Sequence, residues 1–82
     1  MEYIPRGVCA RKINFDLDGE QRVHNVRFEA GCNGNLKAIG KLVEGMKAEE
    51  VIRVLDGNIC GIKNTSCADQ LAQALKQAIT EL

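Results

Sequence analysis

From residue 68 to the last residue, Ala68, Leu71, Ala72, Leu75, Ala78, Ile79 and Leu82 fall on one face of a 3.6-residue period. No other stretch sustains that pattern as long, so the rest of the chain has to be arranged around a C-terminal amphipathic helix. Its start is marked by Thr65-Ser66-Cys67-Ala68-Asp69-Gln70-Leu71. Ser66 stands three positions before Asp69, the spacing of a capping box, which puts Cys67 in the first turn. The unpaired backbone N–H groups and the positive end of the helix dipole there favour a thiolate, the form that ligates metals and attacks electrophiles.

The surroundings of this helix are limited by size. Eighty-two residues make a single domain, 1–82, and area scaling has folding bury only about 63% of the unfolded surface. With no tryptophan and 4% aromatics, the core is built from small aliphatics, and a metal, a partner or dimerisation would add to it. Eleven basic and eleven acidic residues give zero formal net charge, and the basic residues form no run, which argues against nucleic-acid binding through bulk charge. No eighteen-residue apolar stretch suggests a membrane span, and no basic-then-apolar segment at Met1 suggests a signal peptide. The expected compartment is the cytoplasm.

Ahead of the helix the pattern is first β, then α. Tyr3 and Ile4 can extend a sheet edge that Pro5 ends. From Val8 to Leu17, Ile13, Phe15 and Leu17 alternate with Asn14, Asp16 and Asp18, as in a half-buried strand. Asp18-Gly19 signals a turn, and Val26, Phe28 and Ala30 then share a strand face with His24. These runs predict an antiparallel hairpin. Gly31-Cys32-Asn33-Gly34-Asn35 is a turn-rich loop in which Asn33 or Asn35 can cap a helix. Leu36, Ile39, Leu42 and Val43 mark that helix, a short one stopped near Gly45. A second short helix spans Lys47 to Leu55, with Ala48, Val51, Ile52 and Leu55 buried, and ends at Asp56-Gly57. Ile59 and Ile62 are core anchors of the last loop. The fold class is therefore α+β: a small antiparallel sheet, with a third edge strand available, against two short helices and a longer C-terminal one.

Four cysteines, Cys9, Cys32, Cys60 and Cys67, now have related addresses. In a reducing compartment they are read as free thiols or ligands rather than structural disulfides. No CxxC pair is present, so a zinc-finger spacing is excluded. Antiparallel pairing brings Cys9 and Cys32 to one end of the hairpin, where converging thiolates would select zinc, copper(I) or an iron–sulfur cluster. The competing reading is that they pack as small buried hydrophobes, most of all Cys60 between two isoleucines.

Gly7-Val8-Cys9, Val26-Arg27-Phe28 with Gly31-Cys32-Asn33-Gly34-Asn35, Leu42-Val43-Glu44-Gly45-Met46, and Cys60-Gly61 with Thr65 to Leu71 together resemble the TSCPD domain family over nearly the whole chain. Members of that family are small stand-alone bacterial proteins or the cysteine-bearing C-terminal segment of large ribonucleotide reductases, especially the adenosylcobalamin-dependent kind. This sequence departs from the family pattern at Asn33 and Ala68, where proline usually follows the second and last cysteines. A remoter resemblance is to the NifU/IscU iron–sulfur scaffold fold, whose three cysteine ligands match Cys9, Cys32 and Cys67 in order. That family's aspartate after the first cysteine and histidine before the last are here replaced by Ala10-Arg11 and Ser66.

The resulting expectation is a module that is not an enzyme on its own and binds a soft metal, zinc or an iron–sulfur cluster, through Cys9, Cys32 and Cys67 with Cys60 assisting. The family resemblance implies an alternative: an accessory or redox partner of ribonucleotide reduction, nucleotide-binding by association, passing electrons through a cysteine pair. Eighty-two residues cannot hold the reductase barrel itself. A third reading is a homodimeric packing module using the exposed helix faces. His24 is read as a satisfied core or sheet-edge histidine, Asp16, Asp18 and Glu20 as solvated turn residues, Glu49, Glu50 and Arg53 as an exposed helix face, and Met46 as core filler.

Overall fold

The computed structural model describes residues 1–8, 10–29, 33–58 and 66–81. In chain order its elements are β1 (Glu2–Tyr3), β2 (Lys12–Leu17), β3 (Val23–Glu29), α1 (Asn33–Val43), α2 (Ala48–Leu55) and α3 (Cys67–Glu81). The strands form one antiparallel sheet in the order β1-β2-β3, which is the α+β arrangement that the alternating and helical periods predict. Tyr3 pairs with Ile13, so the expected edge strand is present. The first long strand starts at Lys12 rather than Val8.

One sheet face is apolar because Ile13 and Phe15 alternate with polar neighbours along β2. Both are buried, and with Val23, Val43, Ala48, Val51, Leu71, Ala74, Leu75 and Ala78 they make the core. α3 is the central helix. Leu71, Ala72 and Leu75 are fully buried, and even the polar Asp69 and Gln70 of its first turn are buried. α2 packs on α3, and α1 lies along β3. Met46 packs against the core from the side as expected, and Arg53 pairs with Glu50 at 2.8 Å on the outer face of α2.

β3 departs from simple alternation. Asn14 pairs with Arg27 and Asp16 with His24, so Asn25 and Val26 together oppose the single Phe15. This is a β-bulge, and Asn25 takes a left-handed φ of 56° that asparagine tolerates better than most residues. The extra residue puts Val23 and Val26 on the same side, three positions apart, and moves His24 to the outer face opposite Asp16. The expectation that His24 shares a face with Val26 and Phe28 is thereby corrected.

The β3 edge is covered in two ways, which blunts it against pairing with other chains. Near the start of the strand, Val23 N–H donates to Met46 O at 2.8 Å and Gly45 N–H to Val23 O at 2.7 Å. Farther along, α1 approaches through Gly40, where a Cβ would stand 3.0 Å from the Val26 carbonyl oxygen.

Candidate functional site

Ser66 caps α3, as the spacing predicts. Asp69 N–H donates to Ser66 Oγ at 3.1 Å, and Gln70 N–H donates to Ser66 O at 2.8 Å as the first full helical bond. Asp69 then turns outward from its own helix and ties down another segment: its Oδ1 accepts from Gly57 N–H at 2.7 Å and from Gln73 Nε2 at 3.2 Å. Ser66 Oγ donates to Asn58 O. Gln70 Oε1 accepts from Arg6 N–H at 3.1 Å. The first turn of α3 therefore holds the backbone just after α2 and the backbone before β2.

These bonds concern the cysteines directly. Cys67 is the first residue of α3, half-buried and outside the hydrophobic core cluster. Cys9, Cys32 and Cys60 lie outside the described residues, as do Ala30, Ile59, Ile62 and Leu82. Their described neighbours in sequence are tied down in two separate places. Asn58, two residues before Cys60, is bonded to Ser66, and Arg6, three before Cys9, is bonded to Gln70. Arg11, two after Cys9, donates its N–H to the carbonyl of Glu29, three before Cys32, at 2.8 Å. Among the described residues, of which Cys67 is the one cysteine, no group of three or more His, Cys, Asp or Glu is placed to hold a metal.

A second polar constellation has no counterpart among the expectations from sequence. His24 Nδ1 lies 2.6 Å from Glu44 Oε2 and its Nε2 lies 2.9 Å from Asp18 Oδ2. Asp18 Oδ1 also accepts from Glu20 N–H and Arg22 N–H, each at 2.9 Å, and Glu44 Oε1 accepts from Asn25 N–H at 2.9 Å. The hydrogen bond from the Arg22 backbone N–H, with that from His24 second, brings the Asp18 carboxyl down to about 2. The Asp18 and then the Glu44 hydrogen bonds push His24 above its ordinary value. Asp18 is the solvated turn residue that the sequence suggests, and it also serves as a structural acceptor. Period-two alternation misses this constellation, because the bulge at Asn25 beside His24 makes the strand's inward and outward positions exchange. His24 joins the β2–β3 turn to the end of α1, and both of its side-chain partners among the described residues are carboxylates.

A three-stranded antiparallel sheet backed by a long helix is a small α+β domain, and here Cys67 is the first residue of that helix. The sequence profile of the TSCPD domain matches residues 1–79, and the chain belongs to that family. No curated protein and no solved structure gives a significant match. Among the described residues, no helix is long and apolar enough to cross a membrane.

Proposed function

We propose that this TSCPD domain binds a soft metal, zinc or an iron–sulfur cluster, through thiolates of Cys9, Cys32 and Cys67, with Cys60 as the fourth ligand. The observation that carries the reading is the first turn of α3: around Cys67, Ser66 and Gln70 fasten Asn58 and Arg6, which stand within three residues of Cys60 and Cys9. The Arg11–Glu29 bond fastens the segments that lead to Cys9 and Cys32. Sulfur donors of this number suit zinc or a cluster rather than a hard cation. The metal would be a resident group that draws loop segments together, as structural thiolate sites do.

The test is metal analysis and absorbance spectroscopy on protein purified without oxygen, together with thiol titration. One equivalent of zinc, or an iron–sulfur chromophore, with fewer than four titratable thiols is expected, and Cys67→Ser should release it. Metal-free protein with four freely titrating thiols would sink the reading. A disulfide that forms and reduces reversibly in the same sample would instead favour the redox role beside ribonucleotide reduction.

A separate observation favours self-association as an additional property. Between α1 and α2 an aliphatic cleft of about 130 Å³ is lined by residues that include Ile39, Met46 and Leu55. On its rim Leu42 is 75% and Val54 56% exposed. Sedimentation velocity of the Leu42→Ser/Val54→Ser protein should show the dimer lost while the fold is kept; a wild-type chain that stays monomeric at high concentration would remove this reading.

A further inference from the structure

Four of the basic side chains are spoken for. Lys12, Arg22, Arg53 and Lys76 pair with carboxylates. Arg27, Lys37 and Lys41 form no ion pair among the described residues, and all three line one groove of about 620 Å³ between α1 and β3. The protein's formal charge is zero, so this local excess arises from the fold and not from composition.

The geometry of the groove is set by Gly40. With only a hydrogen at that position α1 can lie against the Val26 carbonyl, which brings the flanking lysines over the strand that carries Arg27. Lys37 and Lys41 are spaced i, i+4 and so stand side by side on one helix face, about 6 Å apart at their Cβ atoms. The carboxylates at the two ends are already engaged. Glu44, which lines the same groove, accepts from His24 and from the Asn25 backbone. Glu29, beside the adjoining hollow of about 260 Å³ that Arg27 and Lys37 also line, lies 3.7 Å from Lys12. Glu44 still offsets one positive charge, so the lining of Arg27, Lys37, Lys41 and Glu44 carries a net charge of about +2. Two ammonium groups in a row opposite a guanidinium offer donors to an anion carrying several charges over a few ångströms, and arginine's planar fork suits phosphate oxygens.

We propose that the groove between α1 and β3 binds the phosphate groups of a small phosphorylated molecule, with Arg27, Lys37 and Lys41 as the binding residues. The three side chains are solvent-exposed, so the interaction is weak, reversible and salt-sensitive. It uses none of the cysteines, and its outcome is independent of whether a metal is bound.

The experiment is an amide NMR titration of the full chain with inorganic pyrophosphate at low ionic strength, with sodium chloride at matched ionic strength as the reference. Saturable shifts are expected at Asn25 to Arg27 and at Lys37 to Glu44. Orthophosphate should bind more weakly than pyrophosphate. Lys37→Gln or Lys41→Gln should each weaken binding about threefold to tenfold, and the double variant together with Arg27→Gln should abolish it. Because these residues are exposed and make no ion pair among the described residues, the variant spectra should keep the wild-type dispersion, which separates lost binding from lost fold. Shifts that fail to saturate, that chloride reproduces, or that persist in the triple variant would overturn the proposal. Equal affinity for an acidic peptide of the same charge would overturn the assignment to phosphate.

Discussion

His24 is the residue whose chemistry depends most on the structure around it. Both of its ring nitrogens face carboxylates, Glu44 at 2.6 Å and Asp18 at 2.9 Å, and only the imidazolium can donate from both. A neutral ring would turn a lone pair toward one of them. Its folded value is raised from 6.5, so its contribution to stability is complete below 6.5 and is lost as pH rises through the folded value. Asp18 works in the opposite direction: its value falls from 3.8 to about 2, so its contribution is complete above 3.8 and is lost as pH falls toward 2. The link joining the β2–β3 turn to the end of α1 runs through Glu44, whose carboxyl the Asn25 and His24 hydrogen bonds hold below 4.5, so it is strongest between 4.5 and 6.5. The melting temperature should decline on the alkaline side of that window, and His24→Gln should flatten that decline while leaving the acid side to Asp18 and Glu44, whose backbone hydrogen bonds it keeps. An NMR titration giving His24 a value at or below 6.5 would refute the account. The residue itself is visible in the sequence, but its side of the strand is not. Strict alternation assumes one residue per pleat, and the bulge at Asn25 breaks that count in a way no period-two pattern can register.

At the scale of elements, the helices are the most legible because their stripes are long and their ends carry their own chemistry. Ser66 caps α3 as its spacing to Asp69 suggests, and Gly45 and Gly57 adopt the positive φ values expected where α1 and α2 end. The spacing cannot convey that Asp69 and Gln70 reach across to Gly57 and Arg6, since long-range partners leave no local signature. Ser66→Ala should cost about 1 kcal/mol by loss of the cap. Asp69→Ala should cost about 1–3 kcal/mol because it strands the Gly57 N–H. Urea denaturation measures both, and the Asp69 variant should also react faster with a thiol reagent if this turn positions the cysteine-bearing segments. Gly40 gives a second check on element packing. Alanine there would gain up to about 1 kcal/mol of helix propensity, but its Cβ would meet the Val26 carbonyl at 3.0 Å, and overpacking typically costs about 1–3 kcal/mol. A net loss of stability is expected, with α1 displaced from β3 and amide shifts concentrated in Val26 and Arg27; a stabilised protein would mean that α1 yields without cost.

The whole molecule has a radius of gyration of 11.4 Å, close to the roughly 11.7 Å expected of a compact chain of this length, yet the largest fully buried side chains among the described residues are Ile13, Leu71, Leu75, Val23 and Val51. A core built mainly of small aliphatic side chains, with Phe15 its buried aromatic ring among the described residues, leaves room for bound metal to contribute to stability. Metal that binds only the folded chain stabilises it by about 4 kcal/mol when free metal exceeds its dissociation constant a thousandfold. For a domain of this size each kcal/mol moves the melting temperature by about 4–8 °C. Calorimetry of metal-free protein with and without added zinc should therefore show a rise of roughly 15 °C or more, absent in Cys67→Ser. Its pH dependence separates it from the His24 link. Thiolate ligands must lose protons to bind metal, so the zinc increment should shrink as pH falls from about 8 toward about 5.5, whereas the contribution of His24 grows over the same interval. A zinc-dependent rise that increases on acidification, or one that survives in Cys67→Ser, would place the metal elsewhere than on the cysteines.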